Sequence, residues 1–300
     1  MSITHSSEDD LRNSEVRVNI NGELFHREKA SISVFDSGFL LGDGIWEGLR
    51  LHKGKWLFFD DHMERLYAAL KAVEIEISLT KEDVHCQLEK TRLANNMETD
   101  AYARLMITRG KKSKAFQHPG FSIFGSTFVI IMEHSRPVLD SSKKGIKLVT
   151  VPQMRGQPMT QDPKLNSHSK LNCVIACLQS SKAGGDEALM LDPQGFVNTT
   201  NSCNFFIIRK GEVWTSTGDY CMNGITREKV IQICRNLGVP IYQRNFSLVD
   251  TYSAEGAFLT GTFGGLIQVF SIDGHQIGNG LEGAIAVKLR KFYEAMIEQN

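Results

Sequence analysis

The sequence carries no net charge: Lys and Arg together number 34, and so do Asp and Glu. A general affinity for nucleic acid needs an excess of positive charge, so that class of function is excluded. Also missing is any CxxC pair among the six cysteines, which stand at 86, 173, 177, 203, 221 and 234. Cys173 and Cys177 are i,i+4, yet no histidine or cysteine cluster of zinc-like spacing completes them, and no metal site is expected. The reading is reduced, mostly buried thiols in a cytoplasmic chain. No apolar run approaches the roughly 20 residues that cross a bilayer. The opening "MSITHSSEDDLRNSE" has no apolar stretch of signal-peptide type, and no internal repeat is visible. What is present, 41% hydrophobic and 23% charged residues, is the balance of a soluble globular protein. Its 300 residues make one large domain or two ordinary ones, either able to bury a sizeable core.

Residues 1–15 are polar and predict a flexible arm. "VRVNINGELFHREKASISVFD" alternates about the Asn-Gly at 21–22 and predicts a β-hairpin. "FFDDHMERLYAALKAVEIEI" has helical spacing, with Asp60 or Asp61 as N-cap, and "KEDVHCQLEKTRLANNM" is a helix stopped by an asparagine pair. "AYARLMITRG" and "STFVIIMEH" are strands. "SRPVLDSSKKG", residues 135–145, breaks the pattern and separates a small α/β domain, 16–134, from a larger one, 146–300. The larger half reads as strand "IKLVTVPQM", helix "SKLNCVIACLQSSKAGG", hairpins turning at "DPQG" and "KG", helix "TREKVIQICRNLG", strand "VPIYQRNFS", a strand–loop–strand at "GAFLTGTFGGLIQVFSIDGHQIG" and a final helix "AIAVKLRKFYEAMI". Helices mixed with mostly antiparallel hairpins predict an α+β fold, not a doubly wound sheet.

Two glycine-rich loops offer chemistry. "NGITR" (223–227) opens a helix, where free N–H groups and the positive end of the dipole suit a phosphate. "LTGTFGG" (259–265) adds small residues and hydroxyls. Either alone is more often a tight turn.

Together with "SVFDSGFLLGDGIWEGLR", "DDHMERL" and "DPQGFVNTTNSCNFFIIRKGEVWTSTGDYCMNGITR", these loops make the chain resemble the class IV, or fold type IV, aminotransferases that use pyridoxal 5'-phosphate. That family includes branched-chain aminotransferases, D-amino acid aminotransferases and aminodeoxychorismate lyases. The resemblance runs from about Val16 to the end. It implies a two-domain fold of the D-amino acid aminotransferase kind, an active site between domains completed by a neighbouring subunit, and hence a homodimer. It implies that Arg65 pairs with the cofactor phosphate, as a guanidinium does well. Gly224, Ile225 and Thr226 would cradle that phosphate, with Gly261 and Thr262 closing the other side. Trp46 and Arg50, in "GDGIWEGLR", would line the substrate side. Arg104 and Lys114, or else Arg109, stand where relatives bind the substrate carboxylate.

The resemblance places the family's Schiff-base lysine at 166, where this chain has Asn166. Lys170 is the leading replacement and Lys164 the alternative. With a helix beginning near Ser167, residue 170 would fall about 40° round from 166 and ~6 Å along the axis. Lys164, on a preceding strand, would share the facing of 166. Without either lysine, Asn166 and His168 would contact cofactor or substrate. Thr199 stands where relatives carry a glutamate against the pyridine nitrogen, and a hydroxyl there supplies no full charge, which lowers that nitrogen's pKa. The expectation is an enzyme moving an amino group between an amino acid, branched-chain-like or of D hand, and a 2-oxo acid. A lyase of the aminodeoxychorismate type and a catalytically silent binding module are the alternatives.

Overall fold

The computed structural model describes residues 9–136 and 145–300. Among these, the chain divides into two compact units, one of residues 9–136 with Leu165–Ser169, the other of residues 145–164 with Lys170–Asn300. The expected linker, 135–145, has its residues 137–144 outside the described ones, as are 1–8 of the expected arm. The rest of that arm is structured. Leu11–Glu15 form a 3₁₀ turn whose N-cap, Asp10, accepts from the Arg12 amide. Asn13 fastens it by accepting from the His134 amide at 2.8 Å.

The first unit runs β1 (Arg17–Ile20), β2 (Glu23–His26), α1 (Ser37–Leu41), β3 (Gly44–His52), β4 (Lys55–Trp56), α2 (Phe59–Ala72), α3 (Lys81–Ala94), β5 (Ala101–Thr108) and β6 (Thr127–His134). Its six strands lie in the order β2-β1-β6-β5-β3-β4. The predicted hairpin is present, with Asn21 and Gly22 at φ 51° and 89°, the left-handed pair a two-residue turn requires. It ends sooner than the alternation suggested, at His26. Strand β3 alternates cleanly: Ile45, Leu49 and Leu51 are at most 1% exposed and join Met63, Leu66 and Leu88 in one core. Neither Asp60 nor Asp61 caps α2. Phe58, in a left-handed conformation, is the N-cap, and the two aspartates sit in the first turn, where the helix dipole favours them.

The second unit runs β7 (Ile146–Thr150), α4 (Pro158–Gln161), α5 (Leu171–Lys182), β8 (Glu187–Leu191), β9 (Val197–Thr200), β10 (Asn204–Arg209), β11 (Glu212–Thr215), α6 (Ile225–Asn236), β12 (Ile241–Gln243), α7 (Leu248–Tyr252), β13 (Gly256–Gly261), β14 (Gly265–Ile272), β15 (His275–Gln276) and α8 (Ala284–Gln299). Strands β10-β13-β14-β7-β8-β9 pair in that order, and β9 pairs again with β10, which closes them into a ring. Leu148, Leu189, Val197, Phe205, Leu259 and Val269 belong to one buried cluster in this unit. Helix α5 covers the other face of β8 through Ala176 against Ala188 and Met190. Antiparallel pairings dominate, with parallel ones at β7–β8, β14–β7 and β11–β12. The fold is α+β, as the pattern predicted.

Candidate functional site

In the first unit, β3 sorts the predicted residues between its two faces. Trp46, Gly48 and Arg50 alternate with the core residues and lie opposite Met106, Arg104 and Tyr102 of β5. The Arg104 guanidinium stacks over the Trp46 ring at 4.1 Å. Gly48 makes room for the Tyr102 ring, since a Cβ there would stand 1.9 Å from its hydroxyl and push it aside. Trp46 and Arg50 of β3 and Arg104 of β5 therefore share one face of the sheet. Lys114 is exposed on the following loop, its ammonium 5.7 Å from the Phe121 ring. Arg109 is committed to scaffolding: it grips both carboxylate oxygens of Asp43 and the Val73 and Glu74 carbonyls at the end of α2.

Arg65 approaches β3 from the other side. Its Nε donates to Glu47 Oε1 at 2.8 Å and its Nη2 to Oε2 at 2.7 Å. His62, one turn earlier on α2, places Nδ1 2.7 Å from Oε2. Glu47 is fully buried in the row of Ile45, Leu49 and Leu51. Burial alone would push its carboxyl up, but the Arg65 charge and the bonds from Arg65 and His62 prevail and hold it below the usual carboxylate range. Sequence reasoning missed this group. The signal was present, since a glutamate on the inward positions of an apolar strand needs a cation.

The stretch around position 166 is laid along β3. The Trp46 amide donates to the Asn166 carbonyl at 2.9 Å and the His168 amide to the Gly44 carbonyl at 2.9 Å. The Trp46 indole adds a bond to the Ser167 carbonyl at 3.2 Å. No helix starts at Ser167: α5 begins at Leu171 with Lys170 as its N-cap, so the helical offset expected between 166 and 170 does not apply. Lys170 is half-buried. Lys164 lies exposed in a turn after α4, not on a strand, so the facing argument for it fails as well. Asn166 is 3% exposed. The His168 ring is wedged against Gly44, where a Cβ would come within 3.0 Å of it. Its Nε2 is buried without a hydrogen-bond partner among the described residues. Burial, with a lesser push from Arg104, lowers its pKa below the ordinary 6.5, against the pull of Asp36 and Asp43.

In the second unit, three polar residues form a row across adjacent strands: Thr199 on β9 faces Asn204 on β10, which faces Thr260 on β13. Asn204 Nδ2 donates to the Met222 carbonyl at 2.9 Å, beside the start of α6. Gly224 is the N-cap of α6 and no side chain caps the helix. A Cβ at Gly224 would stand 2.3 Å from Asn204 Oδ1, so any larger residue would force the Asn204 side chain or the helix start to shift. Thr260 is 2% exposed and its Oγ1 has no hydrogen-bond partner among the described residues. The predicted Gly224, Ile225 and Thr226 thus begin an uncapped helix beside an unsatisfied buried hydroxyl that the sequence reading did not name. Gly261 ends β13 and Thr262 lies in the turn to β14, the two closing the strand that carries Thr260. Arg227, 2% exposed, ties the first turn of α6 to the ends of β11 and β12 by donating to the Ser216 carbonyl at 2.7 Å and Gln243 Oε1 at 3.0 Å. The Thr199 hydroxyl donates to the Cys203 carbonyl at 2.6 Å, so its proton is spent within the β9–β10 turn and it offers lone pairs only.

The chain is similar to known proteins over most of its length. Residues 44–272 match the family model described as amino-transferase class IV. The "Branched-chain-amino-acid aminotransferase-like protein 2" of Arabidopsis thaliana is 35% identical over 95% of this chain, which spans about half, 51%, of that relative's length. The "Putative branched-chain-amino-acid aminotransferase" of Methanocaldococcus jannaschii is 34% identical over 93% of this chain and 96% of its own. Among solved structures, the T.th. branched-chain amino acid aminotransferase with pyridoxamine 5'-phosphate superposes with a TM-score of 0.88 at 25% identity, covering 95% of both chains. The family match covers most of the chain and both units contribute to it, so the protein belongs to the class IV aminotransferases.

Proposed function

We propose that the protein is a pyridoxal 5'-phosphate-dependent aminotransferase moving an amino group between an amino acid and a 2-oxo acid. The names of its relatives favour a branched-chain amino acid, and the D-amino acid branch of the family remains the other substrate class. The observation that carries the reading is the start of α6. An uncapped helix end, a glycine packed closely against Asn204 and the orphaned Thr260 hydroxyl fit a phosphate monoester. Free amides of the first helical turn would donate to its oxygens, and Thr260 would gain the partner it lacks.

Ile225 and Thr226 are assigned to hold the phosphate from α6, with Gly261 and Thr262 from the β13–β14 turn and Arg65 as its cationic ligand. When bound, the pyridine ring supplies the electron sink that makes the substrate Cα proton removable. Thr199, its own proton committed to Cys203, can accept a hydrogen bond from a protonated ring nitrogen but cannot donate one to a neutral nitrogen. Lys170 Nζ is assigned the covalent attachment and the carriage of the Cα proton, with Lys164 as the alternative. Trp46, Arg50 and Arg104 are assigned to the substrate face, with Lys114 and His168 as further contacts, and Asn166 to the cofactor. A cationic side chain there suits the substrate carboxylate.

The test is borohydride reduction of the protein incubated with pyridoxal 5'-phosphate, followed by peptide mapping. A reduced adduct on Lys170, absent in Lys170→Ala, with amino transfer from an amino acid to 2-oxoglutarate or pyruvate, is the expected outcome. An adduct that survives Lys170→Ala moves the assignment to Lys164. A protein that gains neither colour nor adduct is not an enzyme of this type. Release of ammonia without amino transfer marks a lyase instead.

A further inference from the structure

We propose that Glu47 is a positioning residue that holds Arg65 in the geometry of an anion ligand, with His62 in turn holding Glu47. The proposal rests on the reading above in which Arg65 binds the cofactor phosphate. Arg65 has four side-chain torsions and, left alone, would lose much rotamer freedom on meeting a ligand. Here two parallel bonds, Nε to Oε1 at 2.8 Å and Nη2 to Oε2 at 2.7 Å, fix the plane of the guanidinium before any ligand arrives. That is preorganisation: the ordering cost is met by folding and does not fall on binding.

Core packing does not account for the carboxylate. Its neighbours on the same face of β3 are Ile45, Leu49 and Leu51, each at most 1% exposed, and an apolar side chain would continue the row. Replacing a buried ion pair with well-packed apolar residues is often neutral or stabilising, so stability gives no reason to place a charge there. Accessibility differs across the pair as well. Glu47 is wholly buried, while the Arg65 side chain keeps 19% of its exposure, so an anion can meet the pair only from the arginine. His62 supplies the third donor to Glu47, through Nδ1 at 2.7 Å from Oε2, and is itself buried on the face of α2 that carries Arg65 three residues later. The carboxylate is thereby clamped from two directions, and the arginine inherits its rigidity.

The experiment compares pyridoxal 5'-phosphate with pyridoxal, which lacks the phosphate. Affinities are measured by absorbance and tryptophan fluorescence on the full chain, so no catalytic turnover is needed. Arg65→Gln is expected to weaken the phosphorylated ligand by about tenfold or more and pyridoxal hardly at all. Glu47→Gln, of equal size but unable to accept both guanidinium bonds, should reproduce most of that selective loss. His62→Gln should give a smaller loss of the same kind. In the double variant Glu47→Gln/Arg65→Gln the losses should not add, because Glu47 acts only through Arg65. Should Glu47→Gln fail to fold, Glu47→Asp, which keeps the charge but withdraws it by one methylene, carries the same expectation of selective weakening. A folded Glu47 variant that binds both ligands like the parent, or a fully additive double variant, overturns this proposal and leaves the cofactor reading standing. An Arg65→Gln variant with undiminished affinity removes Arg65 as phosphate ligand and this proposal with it. A parent protein that binds neither ligand overturns the cofactor reading itself.

Discussion

Thr260 is the residue whose environment asks most plainly for a ligand. A buried hydroxyl without a partner costs roughly 1–3 kcal/mol, and valine has nearly its shape. Thr260→Val should therefore raise the melting temperature of the ligand-free protein while lowering its affinity for pyridoxal 5'-phosphate, a pair of opposite shifts that calorimetry and dye-free titration can read together. Lower stability without ligand would show that the hydroxyl has a partner after all. His168 makes a second prediction. Its pKa in the folded chain is depressed by burial, so below the ordinary 6.5 the unfolded chain takes up a proton that the native state refuses. Stability then falls as pH drops from 6.5, and His134, also depressed by burial, adds in the same direction. His168→Asn should flatten part of that slope in urea unfolding measured between pH 7 and about pH 5; an unchanged slope counts against a neutral, buried imidazole. Neither feature was legible in the sequence, because the contact that buries His168 comes from Gly44, and Thr260 looks like any strand threonine.

Among the elements, turns and long helices were readable and short helices were not. Asn21-Gly22, Lys210-Gly211 and Gly195 all sit at positive φ, the chemistry that their dipeptides advertise. Helix α3 is N-capped by Thr80, which shares a reciprocal cap with Asp83, and its C-cap is Asn95, as the asparagine pair suggested. Helices α1 and α7, of five residues each, are too short for a periodic pattern to emerge. The start of α5 was placed too early, near Ser167, because Ser167 and Ser169 are residue types that commonly cap a helix. What holds residues 166–168 out of the helix is pairing with β3, a partner more than a hundred positions away in sequence. The cradle at α6 was legible as a glycine before a helix; the reason for the glycine was not. Gly224→Ala tests that reason. Its methyl would press on Asn204 Oδ1, so α6 should shift, at a cost of about 1–3 kcal/mol of stability, with a larger proportional loss of phosphate binding than of pyridoxal binding. Equal affinity for the two ligands in the variant would detach the cradle from the phosphate.

On the scale of the whole molecule, the six cysteines are free, and among the described residues no helix is long and apolar enough to cross a membrane. The surface of the first unit carries an apolar cluster that composition did not locate. Phe35 and Phe39, 43% and 69% exposed, adjoin the loop of Phe124, 59% exposed, through the bridge of Asp36 with Lys111, whose ammonium lies 4.9 Å from the Phe124 ring. A patch of this kind marks an interaction surface, and a second copy of the chain is the partner the resemblance implies. Sedimentation should show a dimer for the parent protein and a shift toward monomer for Phe39→Glu. A parent that sediments as a monomer at micromolar concentration would remove the self-association and leave the patch to another partner.

The return of Leu165–Ser169 to the first unit has one more consequence. Neither unit is a continuous stretch of chain, so neither can be cut out with a single pair of scissors. During synthesis, residues 9–136 leave the ribosome with the Gly44 carbonyl and the Trp46 amide still waiting for partners that are made some thirty residues later. The N-terminal unit is finished only when part of its successor has already been translated, and a gene fragment ending at Arg136 would encode a sheet with its last stitch left open.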